Sequence, residues 1–305
     1  MTKRRGPRER RQPLPAARRS RRWMSLAALA GVVTVIGIGV VVTISSQRTG
    51  GHTVGQTPWS RLGTSDVHSL AFAGEDPESI LFGHHEGIDR SRDGGRTWES
   101  LATNADAMGM RPAADGSIVI AGHDLLTASN DGGNTWQPIA ADLPSLDIHG
   151  FARDPGDPAR MWAALATGGL WESVDSGARW SLVRQDNVLA PFAVRVGSTT
   201  RLLGVDASGF VQSDDGGRSW AALTTPPTYP MTSLTASSDG RVIYAGSPDG
   251  IYRSDDAGQT WGATSYRGSA LAIATSADGE TVVVVSRATE FFRSPDGGKT
   301  WPGPG

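Results

Sequence analysis

The residues best suited to chemistry in this chain are its histidines, because five of the six fall at matching points of an internal repeat. Two adjacent imidazoles precede a glutamate, a third precedes an aspartate, and two more open strand-like segments. Neutral imidazole nitrogens are ligands that Zn²⁺ and Cu²⁺ favour, and nearby carboxylates orient them. We therefore predict a ligand or metal site, with Zn²⁺ or Cu²⁺ as the candidate cofactor, at His68, His84, His85, His123 and His149.

The same histidines are open to two other interpretations. They can serve as a general base or as hydrogen-bond donors to a polar ligand, or they can cap strand ends by bonding to backbone carbonyls. No His-x-His or His-Glu-x-x-His spacing supports the metal interpretation. Glycoside hydrolysis needs two facing carboxylates. The turn acids Glu86, Asp124 and Asp206 are the catalytic candidates, and a solvated turn residue is the alternative for each.

The strands and turns that must position these side chains are marked by a sequence motif of the form Ser-x-Asp-x-Gly-x-x-Trp, which occurs six times. Asp followed by Gly closes a tight turn, and the Trp supplies an apolar plate for packing between sheets. The six tryptophans lie 38 to 44 residues apart. This period, with only short strand-like runs between, predicts an all-β, six-bladed β-propeller of four-stranded antiparallel blades. The aspartates are Asp93, Asp131, Asp175, Asp215, Asp256 and Asp296, and the tryptophans are Trp98, Trp136, Trp180, Trp220, Trp261 and Trp301.

The order of strands within a blade predicts where the histidines meet. If the strands are A to D from the centre outwards, the Asp-containing C–D turns share one face with the A–B turns. The B–C turns and the D–A connections then share the opposite face, and all five histidines fall there, in three adjacent blades. The sixth repeat ends soon after Trp301, and residues 57–62 resemble an orphan strand D. We expect that segment to complete the last blade and close the ring.

The repeated motif resembles the Asp-box, or BNR, repeat of sialidase-like propellers, of the sortilin family and of a photosystem II assembly factor. The resemblance covers residues 56–305 and implies the propeller fold, with the boxes on the rim and their aspartates structural rather than catalytic or calcium-binding. Three stretches, 67–70, 83–88 and 147–151, also resemble a bacterial exported BNR-like group labelled glycosyl hydrolase. The Arg-Ile-Pro motif of sialidases does not occur in the sequence, and fold alone does not fix function.

The start of the chain predicts a membrane anchor. Residues 1–22 hold ten Lys or Arg and one acid, and they read as a basic, disordered cytoplasmic tail. Residues 23–44 include 21 consecutive uncharged residues, about 31 Å of helix, which is enough to cross a bilayer. The basic flank predicts that the N-terminus lies in the cytoplasm and the propeller outside it. A cleaved signal peptide or a twin-arginine signal is the alternative.

Charge and cysteine content limit the partners of the propeller. The chain has 29 basic and 31 acidic residues, of which ten basic and one acidic lie in the tail. The rest of the chain therefore has 19 basic and 30 acidic residues, a net charge of −11. An acidic domain argues against nucleic acid as a ligand. No cysteine occurs, so the core alone must hold the domain. After a flexible tether at 45–55, we predict a monomeric bacterial propeller that binds a protein, glycan or metal at one mouth of its channel. The alternatives are a glycoside hydrolase and a structural scaffold.

Overall fold

The structure is a computed structural model, and it describes residues 56–305 except 75, 102–105, 114, 187, 207–208 and 224–229. The predicted tail, membrane helix and tether lie outside these residues. Within the described part, no helical segment is long and apolar enough to span a bilayer.

The described residues form 24 strands in six four-stranded antiparallel sheets, which confirms the predicted six-bladed propeller. We number the blades in chain order. Blade 1 contains β2 (Ser69–Phe72), β3 (Ile80–His84), β4 (Gly87–Ser91) and β5 (Glu99–Leu101). Blade 2 contains β6 (Gly109–Pro112), β7 (Ile118–Gly122), β8 (Leu125–Ser129) and β9 (Gln137–Pro138). Blade 3 contains β10 (Ile148–Arg153), β11 (Met161–Leu165), β12 (Leu170–Ser173) and β13 (Ser181–Arg184).

The other three blades repeat this arrangement, except that the last takes its outer strand from the start of the described chain. Blade 4 contains β14 (Leu189–Val196), β15 (Thr199–Asp206), β16 (Gly209–Ser213) and β17 (Ala221–Ala222). Blade 5 contains β18 (Ser233–Ala236), β19 (Ile243–Gly246), β20 (Gly250–Ser254) and β21 (Gly262–Arg267). Blade 6 contains β22 (Ala272–Thr275), β23 (Val282–Val285), β24 (Glu290–Ser294) and β1 (Ser60–Arg61).

The ring is closed by strand β1, as the sequence predicts. Ser60 pairs with Phe291 and Arg61 with Glu290 in antiparallel register. Backbone N–H groups on both sides of the strand extend the pairing, since Trp59 donates to the Phe291 carbonyl at 2.8 Å and Leu62 to the Thr289 carbonyl at 2.9 Å. The first described strand therefore covers the edge of β24 that would otherwise be open to pairing with another chain.

The core is divided among the blade interfaces. Six apolar clusters occur among the described residues, one between each pair of neighbouring blades, including blades 6 and 1. Strand B is apolar on both faces because each blade packs against a neighbour on either side. Ile80, Leu81 and Phe82 of β3, for example, are all fully buried. This packing fixes the blades relative to one another and thereby the loops at the channel mouth.

The repeated Asp turns are held by their own side chains. In the second repeat, the Ser129 hydroxyl donates to Asp131 Oδ1 at 2.8 Å and accepts the Gly133 N–H at 2.8 Å. Asp131 accepts the Thr135 N–H at 2.8 Å and the Thr135 hydroxyl at 2.7 Å. The Trp136 indole donates to the Gly133 carbonyl at 3.1 Å. These bonds use the oxygens of Asp131 within the turn itself, so a structural role explains this aspartate without a ligand.

The serine–aspartate bond recurs in all the other repeats, and the indole–glycine bond recurs in all but the last. The serine of each repeated turn donates to the aspartate of the same turn, and the indoles of the first five tryptophans donate to the glycine carbonyl three residues earlier. The indole nitrogen of Trp301 is instead buried with no partner among the described residues. The Trp301 backbone carbonyl accepts the Thr57 N–H at 3.1 Å, so this last turn contacts the segment that closes the ring.

These turns predict how stability depends on pH. The Thr135 N–H lowers the pKa of Asp131 to about 2, and the Ser219 and Thr260 hydroxyls lower the pKa of Asp215 and Asp256 to about 2. A carboxylate with a lowered pKa in the folded state stabilises above its unfolded pKa, here 3.8, and that stabilisation is lost as the pH falls towards 2. We expect denaturant titrations to show stability falling between pH 4 and 2, with less proton uptake on unfolding in Asp131→Asn. An unchanged slope in this variant would contradict the assignment.

Candidate functional site

Four histidines and three aspartates meet at one mouth of the channel. Each comes from a segment on the face opposite the Asp turns. Two histidines lie in B–C turns, one after β3 and one after β7, whereas the other residues lie before or at the start of the innermost strands β2, β6 and β10. The seven side chains belong to blades 1 to 3. They are Asp66, His68, His85, Asp106, His123, Asp147 and His149, and we call them the mouth cluster.

The first trio of this cluster lies in blade 1 and consists of Asp66, His68 and His85. His68 Nε2 lies 3.3 Å from Asp66 Oδ2, and His85 Nδ1 lies 3.7 Å from the same oxygen. The two ring centroids are 5.9 Å apart. One donor atom from each residue lies within 4.8 Å of the other two. Two nitrogens and one oxygen at this spacing can coordinate one metal ion.

The second trio joins His123 of blade 2 to Asp147 and His149 of blade 3. Asp147 Oδ1 lies 3.1 Å from His149 Nε2 and 3.7 Å from His123 Nε2. The two imidazoles meet edge to face with centroids 5.3 Å apart. Their donor atoms again lie within 4.8 Å of one another. The second trio therefore offers the same two nitrogens and one carboxylate as the first.

Asp106 lies between the two trios and contacts three imidazoles. Its Oδ1 is 3.2 Å from His68 Nε2, and its Oδ2 is 3.3 Å from His85 Nδ1 and 2.7 Å from His123 Nδ1. Only the contact with His123 is aligned as a hydrogen bond. The Asp106 side chain is 12% exposed. A single, mostly buried carboxylate thus connects blade 1 to blade 2 and faces both trios.

Several polar atoms of the cluster have no partner of their own. Both ring nitrogens of His68, together with Asp106 Oδ1 and Asp147 Oδ1, are buried and make no hydrogen bond to the described residues. The His68 side chain is only 6% exposed. Buried polar groups are normally hydrogen-bonded, and each exception needs an explanation. Here nitrogen and carboxylate oxygen atoms approach within 3.3 Å without pointing at one another, as donor atoms do when they face a shared space.

Burial also sets the protonation state of His68. Desolvation lowers the pKa of His68 below its ordinary value of 6.5, although Asp66 and Asp106 act in the opposite direction. The ring is therefore neutral at neutral pH, the state in which an imidazole binds a metal. The cluster contains three carboxylates and no Lys or Arg. A divalent cation is the complementary ligand for that charge.

The other residues predicted from the sequence lie elsewhere. His84 precedes His85 but stacks on Phe82, with centroids 5.6 Å apart, and its Nε2 lies 3.6 Å from Asp89. Glu86 and Asp124 are exposed turn residues, and the Glu86 backbone N–H donates to His84 Nδ1 at 3.3 Å. Asp206 ends β15 in blade 4. The carboxylates that contact the histidines are thus different from the three considered in the sequence.

The sequence prediction omitted the three aspartates of the mouth cluster because it took its carboxylates from the B–C turns. A signal was present, since Asp66-Val67-His68 and Asp147-Ile148-His149 repeat one Asp-x-His pattern immediately before or at the start of strand A. Asp106 occupies the corresponding place in blade 2, three residues before β6 begins. The D–A connections of three successive repeats therefore each supply one carboxylate to the mouth.

Comparisons with known proteins support the fold. No family model matches the chain, and no curated protein matches it. Among solved structures, YCF48 from Cyanidioschyzon merolae matches with a TM-score of 0.51 at 18% identity, over 80% of this chain and 87% of that one. The GH74 xyloglucanase from Xanthomonas campestris matches with a TM-score of 0.52 at 21% identity, over 80% of this chain. The chain spans 46% of that enzyme.

A protein described as a putative gluconolactonase matches with a TM-score of 0.62 at 14% identity, over 80% of this chain and 93% of that one. Likenesses at these identities show a shared propeller architecture. The chemistry of this chain depends on the residues at its own channel mouth.

Proposed function

We propose that this chain is a membrane-anchored Asp-box propeller that binds a divalent transition-metal ion, Zn²⁺ or Cu²⁺, at the mouth of its channel outside the cytoplasm. The observation that carries the proposal is the mouth cluster, in which four imidazoles and three carboxylates converge with buried donor atoms left unpaired. Nitrogen and oxygen donors without thiolate suit these two ions.

The anchor and the Asp-box family are parts of the same proposal. Residues 23–44 form the uncharged stretch that supports the anchor, and the side-chain bonds of the six repeated turns support the Asp-box assignment. Extraction of cell membranes with alkaline carbonate tests the anchor, since release of the full chain into the soluble fraction would contradict it.

A glycoside hydrolase centred on Glu86, Asp124 and Asp206 is less favoured, because the histidines contact other carboxylates.

Metal binding is tested by one substitution and a matched control. The purified full chain is stripped with a chelator, titrated with Zn²⁺ or separately with Cu²⁺, and passed through gel filtration. Elemental analysis should then find the ion bound to the protein. We expect His149→Ala to weaken binding at the second trio by about 100-fold or more, since even outer-shell partners of a metal contribute about 10- to 100-fold. His84→Gln changes a histidine at the same mouth that lies outside both trios, and it should bind like the unmodified chain. Absence of bound Zn²⁺ and Cu²⁺ in the unmodified chain would overturn the proposal.

A further inference from the structure

The mouth cluster contains two separate sets of donor atoms rather than one. The trio of Asp66, His68 and His85 shares no residue with the trio of His123, Asp147 and His149. Each trio provides two imidazoles and one carboxylate. A single ion would require the donor atoms of both trios to point towards one position. The orientation of the His123 ring determines whether they can.

The ring of His123 lies between the two trios and separates them. Its Nδ1 faces Asp106 at 2.7 Å, and its Nε2 faces Asp147 at 3.7 Å. The lone-pair directions of the two nitrogens diverge in the plane of an imidazole, so one ring cannot turn both towards the same ion. The Asp106 side of the ring belongs with His68 and His85, and the Asp147 side belongs with His149. Two ions on opposite sides of this ring fit the arrangement, whereas one does not.

Asp106 has a different function in each half. Towards the second trio it accepts the Nδ1–H of His123, which fixes the tautomer and leaves Nε2 free to bind. Towards the first trio the same carboxylate lies 3.2 Å from His68 Nε2 and 3.3 Å from His85 Nδ1, where it can supply a fourth donor. A cation held by Asp106 in the first trio reduces the negative charge that supports His123. The two ions would also repel each other.

We propose that the mouth holds two divalent metal ions, one in each trio, and that Asp106 couples them so that the first ion bound weakens the second. The inference rests on the proposed function, because it specifies how the same cluster binds metal. Neither trio is the more enclosed, since the first combines the buried His68 with the exposed His85, at 6% and 65%, and the second has His149 and His123 at 23% and 42%.

The test uses the full chain, with Zn²⁺ for stoichiometry and Co²⁺ as a visible probe of coordination. We expect two Zn²⁺ per chain in two steps of unequal affinity, and one Zn²⁺ in either His85→Ala or His149→Ala. Each of these variants should remove a different part of the Co²⁺ absorption spectrum. A single Zn²⁺ in the unmodified chain, or loss of all Zn²⁺ in both variants, would overturn the two-ion inference while leaving metal binding intact. No bound metal at all would instead overturn the proposed function.

The role of Asp106 has its own variant and control. Asp106→Asn should retain both Zn²⁺ but weaken both steps by about 10- to 100-fold and shift both parts of the Co²⁺ spectrum, because the carboxylate serves both halves. Asp89→Asn removes a carboxylate that faces His84 outside the cluster, and it should leave the two steps unchanged. An effect of Asp106→Asn on one step alone would contradict the coupling. If Asp106→Asn fails to fold, His123→Gln provides the test, with one Zn²⁺ expected and two Zn²⁺ contradicting the inference.

Discussion

Replacing Gly95 by alanine should destabilise the propeller by about 2–5 kcal/mol. Gly95 is the second glycine of the first Asp turn and has a φ of +98°, a left-handed conformation that costs an L-residue about 1–2 kcal/mol. A Cβ at this position would also overlap the ring of Phe291, which is fully buried between blades 6 and 1. Overfilling a packed core adds about 1–3 kcal/mol. Denaturant unfolding measures the change.

The fifth Asp turn provides a matched control for this prediction. Gly258 occupies the same position, with a φ of +87°, but the nearest atom to a Cβ there is a carbon of Trp261 at 3.6 Å, an ordinary contact. Gly258→Ala should therefore cost only the backbone term, about 1–2 kcal/mol. The difference between the two variants isolates the overlap with Phe291. Equal losses of stability in the two variants would show that the closing interface tolerates the added methyl group.

The same comparison shows why the fold was predictable and its local energetics were not. The Asp turn is a local motif, because Ser129, Asp131 and Thr135 are near in sequence and bond mainly to one another. Six copies of that turn at a regular period were enough to give the number of blades. What lies beside each turn depends on the neighbouring blade, so Gly95 and Gly258 have identical roles in sequence but different surroundings in the structure.

The candidate site was predictable to the extent that strand order determines it. Strand order determines which turns share a face, and this predicts that the histidines of blades 1 to 3 lie together. Which of these histidines enter the cluster depends in addition on side-chain direction. Adjacent residues at the end of a strand point to opposite faces, so His84 and His85 cannot both enter the cluster, and His84 instead packs on Phe82. The aspartates lie in D–A connections of unequal length, where a repeat alignment built on the tryptophans has its lowest precision.

Ring closure yields the second large prediction, because β1 is the outer strand that completes the last blade. Arg61 and Glu290 are direct partners across β1 and β24, and their side chains meet at 2.6 Å on one face. The adjacent Leu62 N–H bonds to the Thr289 carbonyl, so Arg61 and Glu290 form a non-hydrogen-bonded pair. Such pairs have Cα atoms about 4.5 Å apart, within the range that a disulfide spans. The chain has no cysteine of its own, so a disulfide engineered here forms without competition.

A disulfide between Arg61→Cys and Glu290→Cys should stabilise the folded state by about 3–5 kcal/mol relative to the reduced form of the same variant, since it closes a loop of about 230 residues in the unfolded chain. The ion pair it replaces contributes little, because the Arg61 side chain is 66% exposed. Unfolding with and without a reductant measures the gain, and the unmodified chain, which should not respond to reductant, is the control. If the disulfide forms but unfolding is the same in both conditions, separation of β1 from β24 is not part of the cooperative transition, and the ring opens before the core is lost.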